Sequence, residues 1–340
     1  MIDRGALLRR AGAGAAGVSL AQLLGPAAAL ATDGGGDFPS HPQWRFVFVS
    51  HNTLDPLLVA TQFGAQDAGA LVRCSVEWTG SARGSVDETV RALRSAISRN
   101  AAGIAVSIVD ERAFAPAIQA ARRARIPLVA FNVGLVGGPR AAYVGENPYA
   151  SGARVGAEIA RLVPLGEVVL FAPAESDAWT ERRLEGVLAG LARIAKAPSA
   201  TTVRLAGNPQ QQQRKVEATL AGRREVRGAF AVDGGSTLAV GTALRRQTKR
   251  VHGGGFDLLP GDLTLVAEGH LDFVVDQQPY VQGFVPVMQL FLARISQGTV
   301  NPWDTETSIL LRKADVQTFI QTKSRFEGSS SRHEYPLRRG

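Results

Sequence analysis

The sequence predicts an α/β protein made of two consecutive parallel-sheet halves. Strand-like and helix-like stretches alternate, with one strand every roughly 25–30 residues, the spacing of βαβ units with right-handed crossovers. The strand-like stretches are unbroken apolar runs rather than alternating ones, as in strands covered on both faces. The alternation passes through four strands, restarts near residue 167 and closes with a strand–helix–strand return.

The first unit sets the pattern. Phe46, Val47, Phe48 and Val49 run without a polar break and predict a buried strand over 45–50. A helix is expected from about residue 56, with Asp55 as N-cap and Pro56 in its first position. The polar loop His51-Asn52-Thr53-Leu54-Asp55 then lies at the carboxyl end of the strand, where open parallel sheets bind ligands. The residues from Ser50 to Leu58 read as one wall of a small-molecule cleft; the alternative is a polar βα loop with no ligand.

Further strands are expected at 72–78, 103–107 and 127–131, with helices at 85–100 and 111–124 between them. Ser85 with Glu88 three residues on is a capping-box signature. A short strand at 141–144 and a helix at 148–162 follow. The second half has strands at 167–171, 201–205, 228–232 and 250–254, with helices at 179–194, 210–220 and 236–246. After a loop come a strand at 273–276, a helix at 280–297 and a last strand at 305–311. The polar tail over 321–340 has little to bury and is expected to be mobile.

Composition narrows the classes. With 340 residues, 45% hydrophobic and 20% charged, the chain can fill two globular cores. A net charge of +8 raises nucleic acid as a partner, but the arginines are scattered singly and in pairs with no aromatic-interleaved basic stripe, so none is expected. The single Cys74 excludes an intramolecular disulfide and reads as an inert core thiol.

Residues 1–31 read as an export signal. Arg9-Arg10 precede a mildly apolar Gly/Ala-rich stretch, and Ala29-Leu30-Ala31 offers a small-residue cleavage site. The paired arginines resemble a twin-arginine signal, with a Sec signal as the alternative. The apolar run is too short for a stable membrane span. Gly12, Gly14 and Gly17 match a dinucleotide-binding pattern, but no strand precedes them and the match is rejected. Residues 32–43 read as a Gly-rich linker.

Several stretches, in this order and spacing, carry a resemblance. They are FVFVSHNTLDPLLVATQFGAQDAGA from Phe46, IPLVAFNVG from Ile126, AYVGENPYASGARVGAEIA from Ala142 and ERRLEGVLAGL from Glu181. GAFAVDGGSTLAVGTAL from Gly228, GGGFDLLPG from Gly253 and VVDQQPYVQG from Val274 complete the set. From about Trp44 to Leu311 the chain resembles the type I periplasmic sugar-binding proteins, the ribose/galactose-binding family of ABC importer receptors. The resemblance implies two Rossmann-like parallel-sheet domains joined by a three-crossing hinge. The first would span 41–145 plus 278–303 and the second 146–277 plus 304–320, and ligand binding would close the hinge.

The family's polar positions carry over to Ser50 and Asp55 in the first loop, Asn132 after the fourth strand and Arg183 near a helix start. They also carry over to Asp233, Asp257 and Gln277 after later strands. Such side chains take paired sugar hydroxyls, while flat aromatics take the apolar sugar face. Each has a plainer reading: Asp55 as an N-cap, Asp233 as a turn former before Gly234-Gly235, Arg183 as a solvated helix residue. His51 and Asn52, and Asn208 with Gln210, are further candidates. The chain departs from the family at Leu57 and Leu58, where aromatics often stand, and at Asn132-Val133, where ribose binders carry Asp-Arg. Trp179 can supply the missing aromatic face, or be a surface or core tryptophan.

The expected function is therefore a non-catalytic, monomeric, extracytoplasmic receptor. It would deliver a sugar, polyol or related small carbohydrate to the membrane permease of an ABC importer. A sensor- or chemotaxis-coupled receptor of the same fold is the alternative, as is a receptor for a sugar acid or other non-sugar solute. A LacI-type regulator would need an N-terminal helix-turn-helix where the export-like segment stands. No enzyme, metal or cofactor is expected: the five histidines lack metal spacing, and no nucleophile elbow or phosphate loop occurs.

Overall fold

The computed structural model describes residues 40–134, 142–223 and 225–322. The expected export signal over 1–31, the linker up to residue 39 and the tail beyond 322 lie outside the described residues. The first half comprises β1 (Arg45–Ser50), α1 (Leu58–Leu71), β2 (Ser75–Gly80), α2 (Val86–Ser98), β3 (Gly103–Val106), α3 (Glu111–Arg123), β4 (Leu128–Phe131) and β5 (Tyr143–Gly145). The second comprises α4 (Pro148–Leu162), β6 (Glu167–Pro173), α5 (Ala178–Ala192), β7 (Ser199–Leu205), α6 (Pro209–Ala221), β8 (Val226–Ala231), α7 (Gly234–Arg245), β9 (His252–Phe256), α8 (Pro260–Glu268) and β10 (Phe273–Asp276). The chain closes with α9 (Pro279–Ile295), β11 (Thr305–Glu306), β12 (Ile309–Arg312) and α10 (Lys313–Thr322).

Two six-stranded sheets result. One has the order β11-β5-β4-β3-β1-β2 and is parallel throughout. The other has the order β12-β10-β9-β8-β6-β7, with β12 antiparallel to β10. The chain passes between the sheets three times: after β5, after β10, and between β11 and β12.

The unbroken apolar runs have a direct cause. Phe46 and Phe48 face a core shared with α1 and α9, while Val47 and Val49 face a second core shared with α2 and α3. The second sheet is covered on both faces in the same way, by Val169 and Phe171 on one side and Val168 and Leu170 on the other. A strand buried on both faces has no solvent side to carry polar residues. Helices α1 and α9 pack at backbone contact, because a side chain on Gly283 would stand 1.9 Å from the Thr61 carbonyl and one on Gly64 2.0 Å from that of Tyr280.

The expected elements differ from the observed ones in a few places. Asp55 does not cap α1: helical geometry begins at Leu58, and the Asp55 carboxylate accepts from Leu57 N at 2.9 Å in the turn leading in. The strand expected at 72–78 starts at Ser75, because α1 runs on to Leu71 and the chain turns through Arg73 at φ +52°. Ser85 caps α2 by accepting from Glu88 N at 3.3 Å, but the Glu88 carboxylate accepts from the Ser81 hydroxyl instead of closing the box. The single strand expected at 305–311 is two strands in different sheets, broken at Thr307-Ser308. Thr305–Glu306 therefore pairs with β5 in the first sheet rather than falling with the second half. Helices α8 and α10 were not expected from the sequence. Cys74 is buried beside α1, and burial pushes its thiol up.

Candidate functional site

A cavity of about 300 Å³ opens where the carboxyl ends of the two sheets meet. That is the lower end of the range for small-molecule sites, roughly 300–1,000 Å³. Eight of the twelve candidates named from the sequence line it: His51, Asp55, Asn132, Trp179, Arg183, Asp233, Asp257 and Gln277. Parallel strands project their following loops to one edge, so residues 132, 257 and 277, each directly after a strand, arrive there together.

Ser50 and Asn52 do not line the cavity. Ser50 is fully buried at the end of β1, and its hydroxyl accepts from Asn52 N at 3.2 Å. Asn52 spends its side-chain oxygen on Leu54 N at 3.2 Å, an Asx-type turn. His51, between them, does line the cavity. Asn208 and Gln210 do not; Asn208 caps α6 in a reciprocal box with Gln211.

Arg183 is only 4% exposed, so it is no solvated helix residue. Its Nε donates to Glu146 Oε2 at 2.9 Å, and its Nη2 donates to the same oxygen. Nη1 reaches the Val232 carbonyl at 3.4 Å, and Nη2 stands 4.0 Å from Asp257 Oδ1. The guanidinium carbon lies 4.8 Å from the centre of the Phe256 ring. Burial pulls the guanidinium down, but Glu146 and Asp257 outweigh it and hold the group above its ordinary value. Glu146, fully buried at the first crossing, also accepts from the Ser151 hydroxyl.

The second-sheet wall is rich in acceptors. Asp257 sits at φ +70°, which turns its side chain back over α7. Its Oδ2 accepts from Gly234 N at 3.1 Å and its Oδ1 accepts from Gln277 Nε2. A side chain on Gly234 would stand 3.0 Å from Asp257 Oδ2, so glycine permits this approach. Asp233 caps α7 through Oδ2, which accepts from Ser236 N at 3.3 Å. Its Oδ1 and Gln277 Oε1 are buried and have no hydrogen-bond partner among the described residues. Burial pushes Asp233 up from its ordinary value. Beneath this wall Asp262 is fully buried, its carboxylate oxygens have no hydrogen-bond partner among the described residues, and burial together with Asp257 pushes it up to about 8.

The first-sheet wall mixes polar and flat apolar groups. His51 Nδ1 lies 2.7 Å from the Ser107 hydroxyl, and burial lowers its pKa against the pull of Asp55 and Asp177. Burial raises Asp55. Asn132 adopts φ +59°, and its Nδ2 donates to Gln282 Oε1 at 3.2 Å. Trp179 reaches across from α5 to pack on the first-sheet core, edge-on to Tyr143 at 6.0 Å, so it is both core and cavity wall. Leu57 lines the cavity, whereas Leu58 is buried in α1.

Sequence reasoning missed Asp177, Thr180, Leu259 and the backbone at Gly234-Gly235, all of which line the cavity. Asp177 accepts from Thr180 N at 2.7 Å, and an Asp three residues before Thr180 at a helix start was a legible cap signal. It also missed Glu146, the partner of Arg183. Nothing local in GEN marks a buried charge. Among the described residues no group of three or more His, Cys, Asp or Glu is placed to hold a metal ion.

Two predominantly parallel sheets joined by three strand-end crossings, with a polar cavity at their facing carboxyl edges, define a two-lobed solute-binding protein. Residues 46–296 match the periplasmic binding protein domain, and the chain belongs to that family. Membership implies an extracytoplasmic location. A xylose/arabinose-binding protein, XylF, of Sulfolobus acidocaldarius is 35% identical over 318 residues, 88% of this chain and 78% of the relative. Two solved structures share the fold. A sugar-binding protein of a sugar ABC transporter from Bacillus halodurans has TM-score 0.72 at 23% identity, covering 81% of this chain and 99% of that one. AraP, an arabinose-binding protein from Geobacillus stearothermophilus, has TM-score 0.70 at 23% identity, covering 82% and 99%.

Proposed function

We propose that the protein captures a neutral, hydroxyl-rich sugar in this cavity and delivers it to the membrane permease of an ABC importer. The observation that carries the reading is the convergence of Asn132 from the first sheet and Asp233 and Gln277 from the second on one cavity. Carboxylate and amide side chains of this kind take paired hydroxyls. Asp55, Asp177 and Asp257 add further acceptors, and Trp179 supplies an apolar face.

The charge balance favours a neutral ligand over a sugar acid. Arg183, the one Lys or Arg on the wall among the described residues, is already matched by Glu146, so a carboxylate would face the surrounding aspartates unopposed. The xylose/arabinose-binding relative puts pentoses first among the sugars. Asn132 and Asp55 belong to the first-sheet lobe and Asp233 and Asp257 to the second, so a ligand bridging them favours a closed arrangement. The three crossings at Glu146-Asn147, Gln277-Gln278 and Thr307-Ser308 are the hinge in this reading. Export by a twin-arginine signal over 1–31 and a monomeric mature protein complete it.

A thermal-shift screen of pentoses, hexoses, polyols and sugar acids tests the proposal. A tight ligand raises the melting temperature by mass action. Pentoses or related neutral sugars are expected to stabilise the protein, and sugar acids are not. Stabilisation by sugar acids alone, or by none of the panel, would reject the reading.

A further inference from the structure

Asn132 and Gln277 line the cavity from different elements, yet one buried side chain joins them. Gln282, in the first turn of α9, is 0% exposed. Its Nε2 donates to the Gln277 carbonyl at 2.8 Å and to Thr307 Oγ1 at 3.2 Å, and its Oε1 accepts from Asn132 Nδ2 at 3.2 Å. The Thr307 hydroxyl donates to the same Gln277 carbonyl at 2.6 Å.

One assignment of donors and acceptors satisfies this set. A backbone carbonyl only accepts, so it must face the NH2 end of Gln282. The single Thr307 hydroxyl proton is committed to that carbonyl, so Thr307 accepts the second Gln282 proton. Gln282 must then show its oxygen to Asn132, and Asn132 must answer with its nitrogen. The Asn132 oxygen is thereby left for the cavity. A carbonyl at the second crossing and a hydroxyl at the third thus determine which end of a wall amide the cavity sees.

We infer that Gln282 is a positioning residue for the ligand. It holds Asn132 as a hydrogen-bond acceptor toward the cavity, so that this point of the wall selects a hydroxyl donor, and it ties that contact to two of the three crossings. The ligand half of this inference rests on the sugar-binding reading above.

Gln282→Met keeps the side-chain size and removes both ends of the amide. In ligand-free protein the side-chain ¹H–¹⁵N resonances of Asn132 are expected to move in Gln282→Met, and its amide protons to exchange faster. Unchanged resonances overturn the inference with no ligand involved. Titrations then use the tightest sugar from the screen and its monodeoxy analogues. One deoxy position, recognised because its penalty disappears in Asn132→Ala, is expected to weaken wild-type binding roughly tenfold. That penalty alone should vanish in Gln282→Met. Equal weakening of every analogue means a purely structural role and overturns the inference. If wild type binds no sugar at all, the proposed function and the ligand half fall together, and the Asn132 resonances still decide the bonding half. Should Gln282→Met not fold, Thr307→Val removes one end of the same chain of bonds and is expected to shift the same resonances.

Discussion

Arg183 and Glu146 form a buried ion pair across the first crossing: Nε donates to Oε2 at 2.9 Å, and the two side chains are 5% and 0% exposed. The pair joins the second-sheet helix α5 to the segment leaving the first sheet. It also neutralises the guanidinium on the cavity wall. Glu146→Gln removes the carboxylate in direct contact with the buried guanidinium and leaves only the more distant Asp257 at 4.0 Å. Urea unfolding should show a loss of about 3–5 kcal/mol. The exposed pair Arg182–Glu185 is the control, and Glu185→Gln should lose about 0.5 kcal/mol or less. Equal losses in both variants would mean that burial of the first pair has no energetic consequence.

Asp262 and Asp276 are buried acids pushed up to about 8 and about 7, burial being the main cause in each. In the unfolded chain they release protons near the ordinary 3.8. Between those values the folded state binds more protons than the unfolded one, so stability falls as pH rises. The slope is about 1.4 kcal/mol per pH unit for each group. Asp262→Asn removes one such group. Its stability relative to wild type should improve steadily from pH 5 to about pH 8 and level off above. A difference independent of pH, followed by urea unfolding, would show that Asp262 does not titrate in this window.

Of Trp44, Trp78, Trp179 and Trp303, Trp179 alone lines the cavity. Binding of a sugar should therefore change the intrinsic fluorescence, and Trp179→Phe should remove the change while weakening affinity modestly. A full fluorescence response in Trp179→Phe would place the reporter elsewhere.

The fold was largely legible because buried parallel strands declare themselves. Phe46–Val49 and Val168–Phe171 have both faces covered, and no polar residue interrupts them. The strand break at Thr307-Ser308 was not legible, since a crossing between sheets leaves no composition change in a run that also reads as one strand. Asn132, Asp257 and Gln277, which the family resemblance picked out and which directly follow strands, all line the cavity. Ser50 and Asn52 occupy the same kind of position but turn their polar atoms to local backbone, a choice set by loop geometry. Glu146 and Gln282 escaped because their partners lie 37 and 150 residues away in sequence.

Asp257 lines the proposed grip, accepting from Gly234 N and Gln277 Nε2 with Arg183 at 4.0 Å. The most direct measurement is calorimetric titration of wild type and Asp257→Ala with the sugar that most raises the melting temperature. Wild type should bind at one site, and Asp257→Ala should stay folded and bind about 2–3 kcal/mol more weakly. Equal affinity in the two proteins would contradict a sugar held between the strand ends of the two sheets.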